Sequence, residues 1–187
     1  IKKENVKRII DFCNDAKVKF VVFSGGEPMM YPELAEMIRY VKSCENKMTV
    51  AIATNGIILS DYEFCKHLVE CGLDYIDISL KGKNEEECLA VVGQECFEKQ
   101  LQAIRNVSSL KVDFTCSMVL TISNVDGFCQ AIEAAYDNGA RQFSFTFALD
   151  NEDSEKKNLE YLKNNNPYDV IDRFLEQKEE LNAITKG

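Results

Sequence analysis

Phe20-Val21-Val22-Phe23-Ser24-Gly25-Gly26-Glu27-Pro28 is an apolar run that stops in two glycines, a carboxylate and a proline. Consecutive Val and Phe residues read as a strand buried on both faces. The glycines end it, because a backbone without Cβ can turn tightly, adopt positive φ and come close to a ligand. Pro28 suits an early helical position, and helical spacing follows at Leu34, Met37, Ile38 and Val41. The unit reads strand, Gly-rich turn, helix. On the glycines alone an ordinary βα turn is the better reading, since open turns need Gly everywhere; the whole pentapeptide Ser24 to Pro28 behind a strand is far more specific.

Outward from this stretch the same unit repeats. Upstream, Val6, Ile9, Ile10 and Cys13 form a helical stripe over residues 2–16. Downstream, residues 48–53 read as a strand ended by Thr54-Asn55-Gly56, where Asn and Gly tolerate positive φ. Asp61 can cap a third helix through Phe64, Cys65 and Leu68, closed by Gly72. A strand over 75–80 follows, then a helix marked by Phe97, Leu101, Ile104 and Val107, a strand over 112–121, and a helix through Phe128, Ala131, Ile132 and Ala135 ended by Gly139. Residues 141–149 close the series, with Phe143, Phe145 and Phe147 alternating against Ser144 and Thr146. Strands alternating with helices of this kind predict βαβ units, a parallel sheet and right-handed crossovers. Residues 1–149 are therefore expected to form one α/β core, 150–166 an acidic polar linker, and 167–187 a terminal helix through Val170, Ile171, Phe174 and Leu175 that packs on the core.

Composition narrows the function. The 187 residues are 45% hydrophobic and 28% charged, ordinary for a globular domain with a real core. A net charge of −9, from 31 acidic against 22 basic residues, argues against nucleic acid as a partner, since phosphate binding needs a basic stripe. No run reaches the length of a membrane span and no signal-peptide pattern opens the chain, so no membrane association and a cytoplasmic location are expected. The eight cysteines read as reduced thiols, and none is spaced C-x-x-C, so no local metal site is expected. His67, the single histidine, reads as a surface residue, and Glu85-Glu86-Glu87 as a solvated face. The chain begins at Ile1, without Met and within a helical pattern, and reads as a fragment of a longer protein.

In a parallel α/β sheet, ligands collect at the C-terminal strand ends. The candidates are then Ser24 to Glu27, Thr54-Asn55, Asp77-Ser79-Lys81, Ser117 to Asn124 and Phe145 to Ala148. Asp77, Ser79 and Lys81 alternate and so share a face, and polar groups on a buried strand need partners. A cofactor contact is the better reading for Ser79. Lys81 reads equally as a cofactor contact or as a solvated residue past the strand end.

Ser24-Gly25-Gly26-Glu27-Pro28 resembles the GGEP motif of the radical S-adenosylmethionine (radical SAM) superfamily, and the resemblance covers most of residues 1–149. It continues in Thr54-Asn55-Gly56, in Ile78-Ser79-Leu80-Lys81-Gly82, and more weakly in Gly93, Phe97, Ala103-Ile104-Arg105, Val119-Leu120-Thr121, Asn124 and Gly139-Ala140. The resemblance implies a parallel partial TIM-type barrel that here lacks its first strand. It implies SAM as cofactor, bound by Ser24 and by Gly25, Gly26 and Glu27 at the methionyl amino group, with Thr54 and Asn55 on the ribose side and Ser79 and Lys81 at the carboxylate. It also implies a [4Fe-4S] cluster whose open iron takes the SAM amine and carboxylate. The family's C-x-x-x-C-x-x-C loop is nowhere in this sequence, so the cluster ligands are expected upstream of Ile1 and no metal ligand is assigned within the chain.

The implied activity is reductive cleavage of SAM to a 5′-deoxyadenosyl radical that abstracts hydrogen from a protein or small-molecule substrate, with an electron donor such as flavodoxin or ferredoxin. Ser79-Leu80 is similar to the molybdenum-cofactor and peptide-maturation branches, whereas Ser-x-Lys is similar to glycyl-radical-activating enzymes such as the pyruvate formate-lyase activating enzyme. The branch stays open. The alternative is a cluster-less α/β module that binds a nucleotide or a protein. Without a first strand, the edge beside the GGEP strand can pair with a second chain to give a dimer.

Overall fold

The computed structural model describes residues 1–147 and 167–185. The strands are β1 (Phe20–Phe23), β2 (Thr49–Thr54), β3 (Tyr75–Leu80), β4 (Asp113–Leu120) and β5 (Phe143–Phe147). The described helices are α1 (Lys3–Asp15), α2 (Leu34–Ser43), α3 (Tyr62–Glu70), α4 (Glu85–Val92), α5 (Phe97–Ser109), α6 (Phe128–Asp137), α7 (Pro167–Glu176) and α8 (Lys178–Thr185). One sheet runs β1-β2-β3-β4-β5, and the registered pairs β1/β2, β2/β3 and β4/β5 are parallel. This is the βα repeat expected from the sequence. The linker expected at 150–166 and the last residues of the strand expected at 141–149 lie outside the described residues.

The chain forms two compact units, one of Ile1–Ser79 with Lys99–Thr115, the other of Leu80–Glu98 with the chain from Cys116 onward. In the first, Met37, Ile38 and Val41 of α2, Val50 and Ile52 of β2, Ile76 and Ile78 of β3, and Ile104 and Val107 of α5 are fully buried. On β3 the period of two is clean: Ile76, Ile78 and Leu80 are buried, while Tyr75, Asp77 and Ser79 occupy the half-buried opposite face.

In the second unit the Phe174 ring of α7 sits among Phe128, Phe145 and Phe147, with centroids 5.0, 5.7 and 5.6 Å away. The C-terminal segment comprises two helices joined at Gln177 in place of the one expected. All eight cysteines are free thiols.

Three local readings need correction. β1 is not buried on both faces: Phe20 and Val22 are 50% and 48% exposed, while Val21 and Phe23 are half-buried. β1 is an edge strand of the sheet and has one covered face.

Helix α4 was not expected. It is capped by the Asn84 side chain, which accepts the Glu87 N–H at 2.8 Å, and closed by Gly93 in the left-handed region at φ 71°.

The Glu85-Glu86-Glu87 run is more than a solvated face. Glu85 accepts the backbone N–H groups of Phe97 and Glu98 at 2.9 and 3.0 Å, capping α5, and Glu87 accepts that of Lys83 at 2.6 Å. Free N–H groups at a helix start take a carboxylate readily, and that electrostatic match explains the placement.

Candidate functional site

The first unit carries the turn that follows β1. Ser24, Gly25 and Gly26 are exposed, and Gly25 has φ +135°, a conformation side chains rarely adopt. A Cβ at either glycine would meet nothing within 4 Å, so the backbone here faces open space. Glu27 then caps a short 3-10 turn, Pro28–Met30, by accepting the Met29 N–H at 3.1 Å.

The Glu27 carboxylate does more than cap. Its Oε1 also accepts the Thr54 hydroxyl at 2.8 Å, and its Oε2 accepts the Asn55 N–H at 2.9 Å. One carboxylate thus ties the turn after β1 to the end of β2 by charge-assisted hydrogen bonds. Thr54 is 4% exposed, and its oxygen accepts the Gly56 N–H at 3.0 Å. Asn55 closes an Asx turn, with Oδ1 accepting the Ile57 N–H at 2.9 Å. Gly56 is at φ +78°, where a Cβ would lie 2.8 Å from Ile78 Cγ2, so only glycine lets the turn sit against β3.

Ser24, Gly25, Gly26, Glu27, Thr54 and Asn55 are therefore brought together at adjacent strand ends. Ser79 belongs to the same unit, at the end of β3 and on the face shared with Tyr75 and Asp77. Asp77 Oδ1 is buried and has no hydrogen-bond partner among the described residues. Lys81 belongs to the second unit; it lies just past β3 yet is half-buried. Asn124, in the same unit, is a buried staple: Oδ1 accepts the Thr121 N–H at 2.8 Å and Nδ2 donates to the Val119 carbonyl at 3.0 Å. Ala148 lies outside the described residues.

A cavity of about 390 Å³ opens beside the turn, lined by Phe23, Gly26, Glu27 and Pro28 together with Ile1 and Tyr31. The Tyr31 hydroxyl is buried without a partner among the described residues, and desolvation raises its pKa above the ordinary phenol value. Among the described residues no group of His, Cys, Asp and Glu could hold a metal ion.

Sequence reading missed Gln100. It lies on the buried stripe of α5 between Phe97 and Ile104, and its side-chain amide donates to the carbonyls of Asn55 and Ser79, each at 2.8 Å. A polar residue at an apolar position of the helical period was the available signal.

Comparison with known proteins follows the same lines. The Radical SAM superfamily profile matches residues 1–135. A PqqA peptide cyclase of Granulibacter bethesdensis is 30% identical over 143 residues, 75% of this chain and 37% of that protein. A GTP 3′,8-cyclase of Chlorobaculum tepidum is 33% identical over 110 residues, 57% of this chain and 33% of that protein. The chain thus spans about a third of the length of these relatives.

Among solved structures, native anSMEcpe with bound AdoMet superposes with a TM-score of 0.64 at 20% identity, over 80% of this chain and 43% of that one. Streptococcus suis SuiB bound to S-adenosylmethionine gives 0.65 at 16% identity, over 94% of this chain and 39% of that one. The fold is accordingly the α/β partial barrel of those enzymes. By its profile over 1–135 and its strand-end GGEP turn, the chain belongs to the radical SAM superfamily, whose cofactors are SAM and a [4Fe-4S] cluster.

Proposed function

We propose that the protein carrying this chain uses SAM-derived radical chemistry to abstract hydrogen from a peptide or small-molecule substrate. One observation carries the reading: the Gly25-Gly26 backbone is open to a ligand and is held in place by the Glu27 carboxylate, which spans the ends of β1 and β2.

The residues fit SAM. Gly25 and Gly26 offer backbone groups to the methionyl amine with no side chain in the way. Because the Glu27 and Thr54 side chains are engaged with each other, their contribution is to fix the turn, and Asn55 and Ser79 supply the neighbouring rim. The cluster is not assigned to residues of this chain. When bound together, the reduced cluster and SAM supply a 5′-deoxyadenosyl radical. The protein's part is to hold, orient and shield from water.

Two features divide the substrate class. Ser79-Leu80 and the cyclase chemistry of the relatives named above favour a peptide or nucleotide substrate, whereas Lys81 is the feature that favours a glycyl-radical enzyme. We favour the former, with a one-electron donor as the further partner.

The test is anaerobic: protein from the full coding sequence, reconstituted with iron and sulfide and reduced, is expected to form 5′-deoxyadenosine from SAM. An intact cluster without that product would overturn the proposal and leave the cluster-less binding module standing.

A further inference from the structure

We infer that Gln100 is a positioning residue for the cofactor site, setting the separation of the strand ends that carry Asn55 and Ser79. The inference rests on the reading above, in which those two residues flank bound SAM.

The registered pairing of β2 with β3 ends at Thr54 and Ile78, so the carbonyls of Asn55 and Ser79 lie one residue beyond that register. Gln100 takes up both. Its side chain is fully buried, and the two hydrogens of one amide nitrogen go to the two carbonyls at 2.8 Å each. A flipped amide would press Oε1 against two carbonyl oxygens, so the donor assignment follows from the partners themselves. Oε1 is then left buried and unpartnered among the described residues. A position used only for packing would favour an apolar side chain over one with an unmatched acceptor. The two donors are the purpose of the residue.

The neighbouring turn has little slack. At Gly56 even a methyl group would touch Ile78 Cγ2 at 2.8 Å and Ala103 Cβ of α5 at 3.8 Å. If the amide is lost, Asn55 and Ser79 cannot keep their spacing by looser packing, and the displacement passes to the groups that face the ligand. The same helix provides a matched comparison. Asn106 also bridges two carbonyls, those of Leu59 and Ser60 at 2.8 and 3.0 Å, while its Oδ1 accepts from Gln102. It pins the short turn Ile58–Ser60 before α3 and touches neither the Asn55 nor the Ser79 carbonyl.

The experiment uses the reconstituted protein from the full coding sequence and measures SAM affinity by titration calorimetry beside thermal unfolding. Gln100→Met, close in volume but without donors, is expected to weaken SAM binding tenfold or more and to raise KM for SAM while kcat stays within about threefold. Asn106→Leu is expected to lower the unfolding temperature with SAM affinity within twofold of wild type. Should Gln100→Met not fold, Gln100→Asn, which withdraws the amide by one methylene, serves in its place with the same expected direction. SAM affinity unchanged in the Gln100 variant, or weakened equally by Asn106→Leu, would overturn the inference. Wild-type protein that binds no SAM would overturn the functional reading, and this inference with it.

Discussion

The Thr54 hydroxyl at the end of β2 donates to the Glu27 carboxylate after β1 at 2.8 Å, so two candidate site residues from different strands are each other's partners. Hydrogen bonds to charged groups contribute roughly 1.5–3 kcal/mol, and partial exposure of Glu27 places this one toward the lower end. Thr54→Val removes that donor and also the acceptor of the Gly56 N–H. We expect a loss of about 2 kcal/mol in urea unfolding. Combined with Glu27→Gln, the loss should be less than the sum of the two single losses, since both variants break the same contact. Additive losses would separate the two residues.

Glycines of the two turns should respond oppositely. Gly56→Ala places a Cβ 2.8 Å from Ile78 Cγ2 at φ +78°. The left-handed conformation alone costs about 1–2 kcal/mol for a residue with Cβ, and the clash adds to it. Gly26→Ala meets nothing within 4 Å and carries no positive φ, so the fold should keep its stability within about 0.5 kcal/mol. Unfolding curves of the two variants side by side decide the matter. Equal destabilisation would mean that the Gly26 backbone is not open.

The difference between the legible and the hidden parts of this site is physical. The GGEP strand and turn, the βα alternation and the strand-end positions of Thr54, Asn55 and Ser79 follow from periodicity and turn chemistry, which are local. The exposed face of β1 could not be read from Val and Phe alone, because an edge strand and a central strand can share a composition and differ only in neighbours. The side-chain roles of Glu27 and Thr54 depend on a contact across 27 positions. Gln100 reaches 45 positions back to Asn55. Helix α4 was obscured by its three leading glutamates, which looked like a solvated run although Glu85 and Glu87 cap backbone groups.

Thiol chemistry should follow burial. Desolvation pushes Cys88 up to about 12 and Cys65 and Cys129 up to about 11, whereas Cys13 and Cys44 are partly exposed. An Ellman titration of the native protein at pH 8 should show Cys13 and Cys44 reacting first, with the buried thiols reacting only on unfolding. The sign for stability follows from raised folded values. The contribution is full below the unfolded thiol pKa and is lost as pH rises toward the folded one. The urea midpoint should therefore fall between about pH 9 and 11, and less steeply in Cys88→Ala. Rapid labelling of Cys88 in the native state would contradict its burial.

Residues 1–187 alone should fold, bind no iron and hold SAM weakly. The described strands and helices bury a core of their own, and no group of metal ligands lies among the described residues. The family resemblance implies that the SAM amine and carboxylate also go to the cluster's open iron. With that chelating pair absent, the contacts proposed for the first unit are the Gly25-Gly26 backbone, Asn55 and Ser79. Losing charge-assisted contacts of this kind costs several kcal/mol, and each 1.4 kcal/mol is about tenfold in affinity. Removing the cluster from the reconstituted full-length protein with a chelator should weaken SAM binding in the same way, by about a hundredfold or more. Titration calorimetry of the 187-residue chain beside its Gly26→Val variant checks both halves of the argument. Submicromolar binding by the chain would show that the cluster contributes little, and equal binding by the variant would remove the glycine turn from the site.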